Sequence, residues 1–80
     1  ESFEIYPNPA TNRVFIKNLS LNRNESTIFQ ILSLDGRLIR NLQLQNEDLS
    51  FDSSFLKNGL YLLKLQNGNK MYQNKLMIQK

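Results

Sequence analysis

The sequence contains no cysteine, no histidine and no tryptophan among its 80 residues. Without cysteine the chain has no disulfide framework, no thiol nucleophile and no cysteine-ligated zinc site. Without histidine it lacks the commonest general base and metal ligand. A domain of this size buries only about 60% of the surface that its unfolded chain exposes, which leaves little room for an enzyme cleft. These absences argue against an enzyme and favour a protein that acts by presenting a surface.

Long apolar runs and clustered charges are missing as well. The longest apolar run is Leu60-Tyr61-Leu62-Leu63. A bilayer-spanning helix needs about 18 apolar residues or more, so no transmembrane segment is predicted. Ten Lys and Arg residues against seven Asp and Glu give a net charge of +3, but the cations are scattered along the chain. Dispersed charge of this size mostly serves solubility, and we expect no nucleic-acid partner.

Alanine and valine are scarce, whereas large apolar residues and asparagine are abundant. One Ala and one Val stand beside fourteen Leu, six Ile, five Phe and eleven Asn. Alanine is the best helix former, and asparagine favours turns over helix interiors. The composition therefore predicts short strands joined by tight loops.

Apolar residues alternate in several segments with the period of two that is typical of strands. Residues 13–17 and 60–65 each carry an apolar and a more polar face. In residues 26–34 both faces are apolar, with Phe29 and Ile31 on one side and Ile28 on the other. This last segment is therefore predicted to be a central strand that is covered on both faces.

Two dipeptides have the composition of tight hairpin turns. Asp35 and Gly36 both tolerate positive φ and interrupt an apolar run, which predicts an antiparallel hairpin at this point. Asn67 and Gly68 predict a second two-residue turn on the same grounds.

Three other segments complete the predicted order of elements. Residues 18–25 are expected to form a surface loop, and residues 41–45 continue a strand with Leu42 and Leu44 on one face. Residues 52–57 could form one helical turn with Asp52 or Ser53 as its cap. In total, about seven short strands at roughly ten-residue spacing predict an all-β fold, an immunoglobulin-like antiparallel β-sandwich.

No group of side chains has the pattern of a catalytic, cofactor or metal site. Asp35 is explained by a turn and Asp52 by a cap. The acidic group of Glu47, Asp48 and Asp52 lacks the alternating ligands and the downstream Glu of an EF-hand loop. Hydroxyl side chains have no recognisable base to activate them. We therefore predict no enzymatic activity, no cofactor and no metal.

The aromatic residues leave a second function open. Their neighbours at i±2 are apolar for four of them, which are predicted to lie in the core: Phe3, Phe29, Phe51 and Tyr61. Tyr6, Phe15 and Tyr72 are not assigned by their neighbours. If two of these three are exposed and close together, a carbohydrate-binding sandwich becomes an alternative, as does a structural module of an extracellular protein.

Four motifs occur in a fixed order along the chain. They are Tyr6-Pro7-Asn8-Pro9, Leu34-Asp35-Gly36-Arg37-Leu38-Ile39, Leu56-Lys57-Asn58-Gly59-Leu60-Tyr61 and Asn74-Lys75-Leu76-Met77-Ile78-Gln79-Lys80. Each motif is weak alone, but the ordered set from Phe3 to Lys80 resembles the type A C-terminal sorting domain of the type IX secretion system of Bacteroidetes.

The resemblance implies a non-catalytic domain at the C-terminus of a larger secreted precursor, of which residues 1–80 form the single sorting domain. It implies that an upstream signal peptide takes the cargo across the inner membrane, and that the outer-membrane translocon then recognises the domain from the periplasm. Sortase-like attachment machinery is expected to remove the domain, after which the cargo is released or attached to the cell surface.

The resemblance also places the residues of partner recognition. Those implied are Pro7, Asn8 and Pro9 in the opening corner, Gly36 in the middle turn, Gly59 and Tyr61 in the penultimate strand, and Lys75, Leu76, Ile78 and Lys80 in the terminal segment. The final strand is expected to lie at a sheet edge, where unpaired backbone groups could bind a partner strand while Lys75 and Lys80 add charge steering.

Overall fold

The structure, a computed structural model, describes residues 3–17, 21–22, 24–42 and 49–80. These residues form seven strands and, within the described ranges, no helix. The strands are β1 (Glu4–Tyr6), β2 (Arg13–Lys17), β3 (Thr27–Leu32), β4 (Leu38–Leu42), β5 (Ser50–Asp52), β6 (Gly59–Asn67) and β7 (Lys70–Ile78). The all-β prediction is confirmed.

The strands form two antiparallel sheets that pack face to face. The three-stranded sheet has the order β1-β2-β5, and the four-stranded sheet has the order β4-β3-β6-β7. Every second residue of the inner strands is buried between the sheets, as Val14 and Ile16 are in β2 and Leu63 and Leu65 are in β6. This alternation confirms the predicted β-sandwich.

Both predicted hairpins are present, although one turn lies a residue later than expected. The β3–β4 hairpin closes around Asp35 and Gly36, and Gly36 has a φ of 92°, where only glycine is free of steric strain. In the β6–β7 hairpin Asn67 pairs with Lys70, so the turn residues are 68 and 69. Asn67 instead ends β6, because its buried side chain is held by hydrogen bonds to the neighbouring loop.

The prediction that β3 is covered on both faces is wrong. Phe29 and Ile31 are buried, but Ile28 on the opposite face is 48% exposed and Leu32 is half-buried. A two-layer sandwich covers the inner face of each sheet only, so an apolar residue on the outer face remains in contact with solvent.

The helical turn predicted for residues 52–57 is also wrong. The Leu56 amide donates to the Ser53 carbonyl at 3.0 Å, which closes a β-turn. The Ser54 amide donates to the Asp52 carboxylate at 2.9 Å. Asp52 therefore does cap the local backbone, but the segment ends after one turn and returns to the extended chain of β6.

Two predicted segments lie partly outside the described residues. These are the loop at residues 18–25 and the strand at residues 41–45, since residues 18–20, 23 and 43–48 are not described. Of these segments, Leu21 and Leu42 are half-buried and pack against the core.

Candidate functional site

Motif residues that are far apart in the sequence lie together at one end of the sandwich. Leu32 pairs with Leu62, and Gly59 pairs with Ile78, so β3 and β7 end where β6 begins. The β3–β4 turn therefore lies at this end of the sheet. A parallel bridge between Ala10 and Ile78 adds the N-terminal corner. We call this region the motif end, and define it as residues 7–10, 35–36, 58–59 and 78–80.

The N-terminal corner is fastened to the last strand by three backbone amides. The Ala10 amide donates to the Met77 carbonyl at 2.8 Å, and the Gln79 amide donates to the Ala10 carbonyl at 2.9 Å. The Met77 amide donates to the side chain of Asn8 at 3.1 Å. Ala10, the one alanine of the sequence, is completely buried at this contact. The exposed residues Pro7, Asn8 and Pro9 thus lie beside the C-terminal strand.

The outer edge of β7 is covered over its C-terminal half. β7 is an edge strand, as predicted, but the amides that point away from β6 have acceptors: the Asn74 side chain for Lys75, the Asn8 side chain for Met77 and the Ala10 carbonyl for Gln79. The outward amides from Lys75 to Gln79 are therefore not the unpaired row that was expected. A partner strand could pair here only by displacing these acceptors.

The loop that precedes β6 holds the last residue of the chain. The Tyr61 hydroxyl donates to the Lys57 carbonyl at 2.7 Å. Within this loop, the Asn58 side chain accepts a hydrogen bond from the Lys80 amide at 2.9 Å. The Lys80 ammonium group donates to the Ser54 carbonyl at 2.7 Å. Tyr61 therefore fixes the loop on which Lys80 rests.

Gly59 has a backbone conformation that suits glycine. Its φ is 155°, and a Cβ built at this position would meet the Tyr61 ring at ordinary van der Waals distance. A larger residue at position 59 would therefore have room for its Cβ but would be strained by the backbone angle φ.

The predicted terminal residues divide into buried and exposed side chains. Leu76 and Ile78 are almost completely buried and belong to the core, whereas Lys75 and Lys80 are exposed. Leu76 and Ile78 therefore hold the strand in place from the core, whereas Lys75 and Lys80 extend over the surface, where Lys80 donates to the Ser54 carbonyl.

A family model matches nearly the whole chain. The family model described as the secretion system C-terminal sorting domain matches residues 4–79. The chain belongs to this family. It is a C-terminal sorting signal of type IX secretion, and the family implies a Bacteroidetes source and export toward the cell surface or beyond. A search of curated proteins gives no match.

The described part of this sorting domain contains no helix that is long and apolar enough to cross a membrane.

Among the residues that the structure describes, Asp35 and Asp52 have lowered pKa values, so both carboxylates are held in the ionised form. The Ser33 hydroxyl bonds to Asp35 and lowers the pKa of that carboxyl, with Arg37 3.5 Å away adding to the effect. The Ser54 amide lowers the pKa of Asp52. A general acid at neutral pH needs a raised pKa, so neither group is suited to that role.

Tyr6 and Phe15 form an aromatic pair on the outer face of the three-stranded sheet. Their rings stack with centroids 5.4 Å apart, and Lys17 Nζ lies 5.5 Å from the centroid of Tyr6. Tyr6 is 45% exposed, Phe15 is half-buried, and Tyr72 is buried. Two of the three unassigned aromatic residues are thus adjacent, and the Tyr6 ring already has Phe15 stacked on it and Lys17 Nζ beside it.

Several asparagines have a role that the sequence analysis missed. Asn8, Asn58 and Asn74 accept hydrogen bonds from backbone amides of the terminal segment. Asn74 also donates to the Phe3 carbonyl. At the opposite end, the Asn67 side chain bonds to Asn22. The high asparagine content indicated turns, but a single sequence does not show which side chains reach distant backbone groups.

Proposed function

We propose that this chain is the C-terminal address of a larger secreted cargo, and that the motif end is the surface that the secretion machinery recognises. The observation that carries the proposal is the convergence of the family's motifs. The corner at residues 7–10, the turn at Gly36, the loop at Gly59 and the terminal residues meet at one end, although they are spread over the whole chain.

The proposed route follows from the family. An upstream signal peptide takes the precursor across the inner membrane, and the domain then crosses the periplasm to the outer-membrane translocon. A sortase-like protease removes the domain, and the cargo is released or attached to the cell surface. The domain itself uses no cofactor and catalyses no reaction.

Within the motif end we assign direct contact to the exposed residues and support to the buried ones. Pro7, Pro9 and Lys80 present their side chains to solvent at the surface. Leu76 and Ile78 anchor β7 from inside the core. A change at an exposed lysine should therefore affect export more than folding, since exposed charges contribute little to stability.

Paired lysine substitutions test this assignment. Lys75→Gln with Lys80→Gln removes two charges at or beside the motif end, and Lys17→Gln with Lys70→Gln removes two exposed charges toward the opposite end of the sandwich. Export of a reporter fused to residues 1–80 should fall several-fold with the first pair and stay near wild type with the second. Equal export by both pairs would refute the assignment of recognition to the motif end.

Truncation gives a second test of the same proposal. Removal of residues 74–80 deletes exposed Lys75 and Lys80 together with the core residues Leu76 and Ile78. We expect it to abolish export. Normal secretion of the truncated fusion would contradict the proposal outright, whatever the state of the fold.

A carbohydrate-binding module is the second candidate function, and the Tyr6–Phe15 pair favours it. Sugar rings bind to exposed aromatic faces, but Phe15 and Lys17 already contact the Tyr6 ring. Titration of the chain with soluble polysaccharides, compared with Tyr6→Ala, tests this candidate. It requires saturable binding that the substitution removes, whereas the sorting function predicts no dependence on polysaccharide.

A further inference from the structure

The two outer faces of the sandwich differ in character. Among the described residues, the exposed large apolar side chains lie on the four-stranded sheet or its β3–β4 hairpin, apart from Tyr6. The outer face of the three-stranded sheet instead carries charged residues, which include Glu4, Arg13, Lys17 and Asp52. The outer face of the four-stranded sheet is therefore the richer of the two in exposed apolar side chains.

Five apolar side chains form a compact group at one end of the outer face of the four-stranded sheet. Strand register places Leu32 beside both Leu38 and Leu62, and Leu60 beside Met77. Leu38 is 51% exposed, Met77 42% and Leu60 37%. We call these five residues the leucine patch.

Polar residues border the leucine patch toward the middle of the sheet. The next row across the strands contains Asn41, Gln30, Lys64 and Gln73, and Lys75 lies beside Leu62 at the sheet edge. An apolar centre with a polar rim is the anatomy of a protein interface. Contiguous apolar surface on a small domain commonly marks such a site.

The charge of this sheet points to the chemistry of the partner. Strands β3, β4, β6 and β7 contain no Asp or Glu, and strand register places Lys64 and Lys75 on the outer face that carries the patch. Arg40 and Lys70 belong to the other face, where Arg40 stacks on the Phe55 ring. A second copy of the chain would bring lysines against lysines around the patch, which is unfavourable. A partner with carboxylates around its own apolar centre would complement the patch.

The aromatic residues argue against a membrane as the partner. Trp and Tyr are enriched where membrane proteins meet the membrane–water interface. The described aromatic residues of the four strands are Phe29, Tyr61 and Tyr72, and they lie on the inner face, packed in or against the core. The exposed aromatic pair lies on the other sheet.

We infer that the leucine patch is a docking surface for a protein with an apolar centre and an acidic rim. The inference rests on the proposed function, in which that protein is a component of the type IX translocon. The patch adjoins the motif end through Leu60, which follows Gly59, and Met77, which precedes Ile78. Docking on the patch would thus place the exposed terminal lysines against the same partner.

Binding of the 80-residue chain to detergent-solubilised type IX translocon tests the inference. The variant Leu60→Ser with Met77→Ser should raise Kd at least about tenfold, the size expected at the centre of an interface. Ile28→Ser with Met71→Ser is the matched control, because both residues are similarly exposed at the other end of the same sheet face. This control should change Kd less than about twofold. Circular dichroism confirms that both variants fold.

The charge of the partner is tested with the same assay. Lys64→Glu, within the polar border, should weaken binding more than Lys17→Glu on the other sheet, and added salt should weaken wild-type binding. If the patch and control variants bind equally, the inference fails while the proposed function stands. If wild-type chain does not bind the translocon, the inference also fails, and export of the reporter then decides the proposed function separately.

Two other occupants of the patch have their own readouts. The first is a lipid surface: if the wild-type chain binds phosphatidylglycerol vesicles and the Leu60→Ser, Met77→Ser variant does not, the inference is overturned in favour of a lipid. The second is another copy of the chain: if sedimentation shows that the wild-type chain dimerises and the same variant stays monomeric, the inference is overturned in favour of a dimer.

Discussion

The Asn8 side chain accepts a hydrogen bond from the Met77 amide, 69 positions along the chain. This bond joins the opening corner to the final strand, and the Ala10 backbone adds two more bonds at the same place. Contacts between distant positions require closure of a long loop during folding, which costs conformational entropy. Because these three bonds join them, the opening corner and the final strand form one structural unit, and the first and last motifs of the sequence lie together in space.

Asn8→Ala should destabilise the domain by about 1 kcal/mol, the usual net value of a hydrogen bond that water can partly replace. Urea unfolding followed by circular dichroism measures this loss, and hydrogen exchange at the Met77 amide should become faster. Asn41→Ala is the control, since it removes an exposed bond from Gln30 at 3.1 Å that lies far from the termini. A loss with Asn41→Ala as large as that with Asn8→Ala would show that the Asn8 contact has no special role.

Three consecutive residues of β7 should respond to substitution in alternation. Leu76→Ala leaves a cavity in the core and should cost about 2–5 kcal/mol, whereas Ile78→Val should cost about 0.5–1.5 kcal/mol. Met77 between them is exposed, and Met77→Ala should change stability by about 0.5 kcal/mol or less. Chemical denaturation of the three variants checks the pattern. A Met77→Ala loss equal to that of Leu76→Ala would contradict the described orientation of β7.

Tyr61→Phe removes the hydroxyl that donates to the Lys57 carbonyl and leaves the ring in place. We expect a loss of about 1 kcal/mol and greater mobility of the loop on which Lys80 rests. Unfolding experiments measure the first effect, and backbone NMR order parameters at residues 57–59 measure the second. Tyr6→Phe serves as the comparison, and unchanged order parameters in Tyr61→Phe would argue against the anchoring role.

The fall in the free energy of unfolding at acidic pH should depend on Asp35 and Asp52. Both carboxyl groups have a pKa below their ordinary value of 3.8, because Ser33 and Ser54 respectively donate hydrogen bonds to them. The folded state therefore binds fewer protons than the unfolded state as the pH falls below about 4. The stabilisation is present above the ordinary pKa and is lost as the pH falls through the lowered values.

Asp35→Asn with Asp52→Asn should flatten the dependence of the unfolding free energy on pH between about pH 5 and pH 2. Urea unfolding at a series of pH values, with wild type alongside, gives the two curves. If the two curves are parallel, these carboxylates do not contribute to the loss of unfolding free energy at acidic pH.

Local patterns in the sequence predicted most of the strands and the first hairpin. The alternation of Val14 and Ile16 specifies which face of β2 is buried, and Gly36 marks a turn that requires positive φ. The same pattern could not decide whether Ile28 is covered, since an apolar side chain on a strand has the same spacing whether or not another layer covers it. Covering depends on the number of layers, which is a property of the whole fold.

The sequence motifs indicated the residues of the candidate site, but they did not indicate the hydrogen bonds that join those residues. The ordered motifs indicated which residues belong together, but not that Asn8 binds the Met77 amide or that Asn58 binds the Lys80 amide. The expectation that the β7 edge is unpaired was wrong for the amides of Lys75, Met77 and Gln79 for this reason, although β7 is an edge strand as predicted. An asparagine side chain that satisfies a distant backbone group has no local signature, because the same residue type is also common in turns.

The most direct measurement for the central claim is the fraction of a reporter, fused to residues 1–80 behind an export signal, that reaches the outside of the cell. It is measured in a type IX-competent Bacteroidetes strain and in the same strain without its translocon. We predict that the reporter is found outside the competent cells and remains inside cells that lack the translocon. Retention in the competent strain, or equal release from both strains, would contradict the assignment of this domain as a sorting signal.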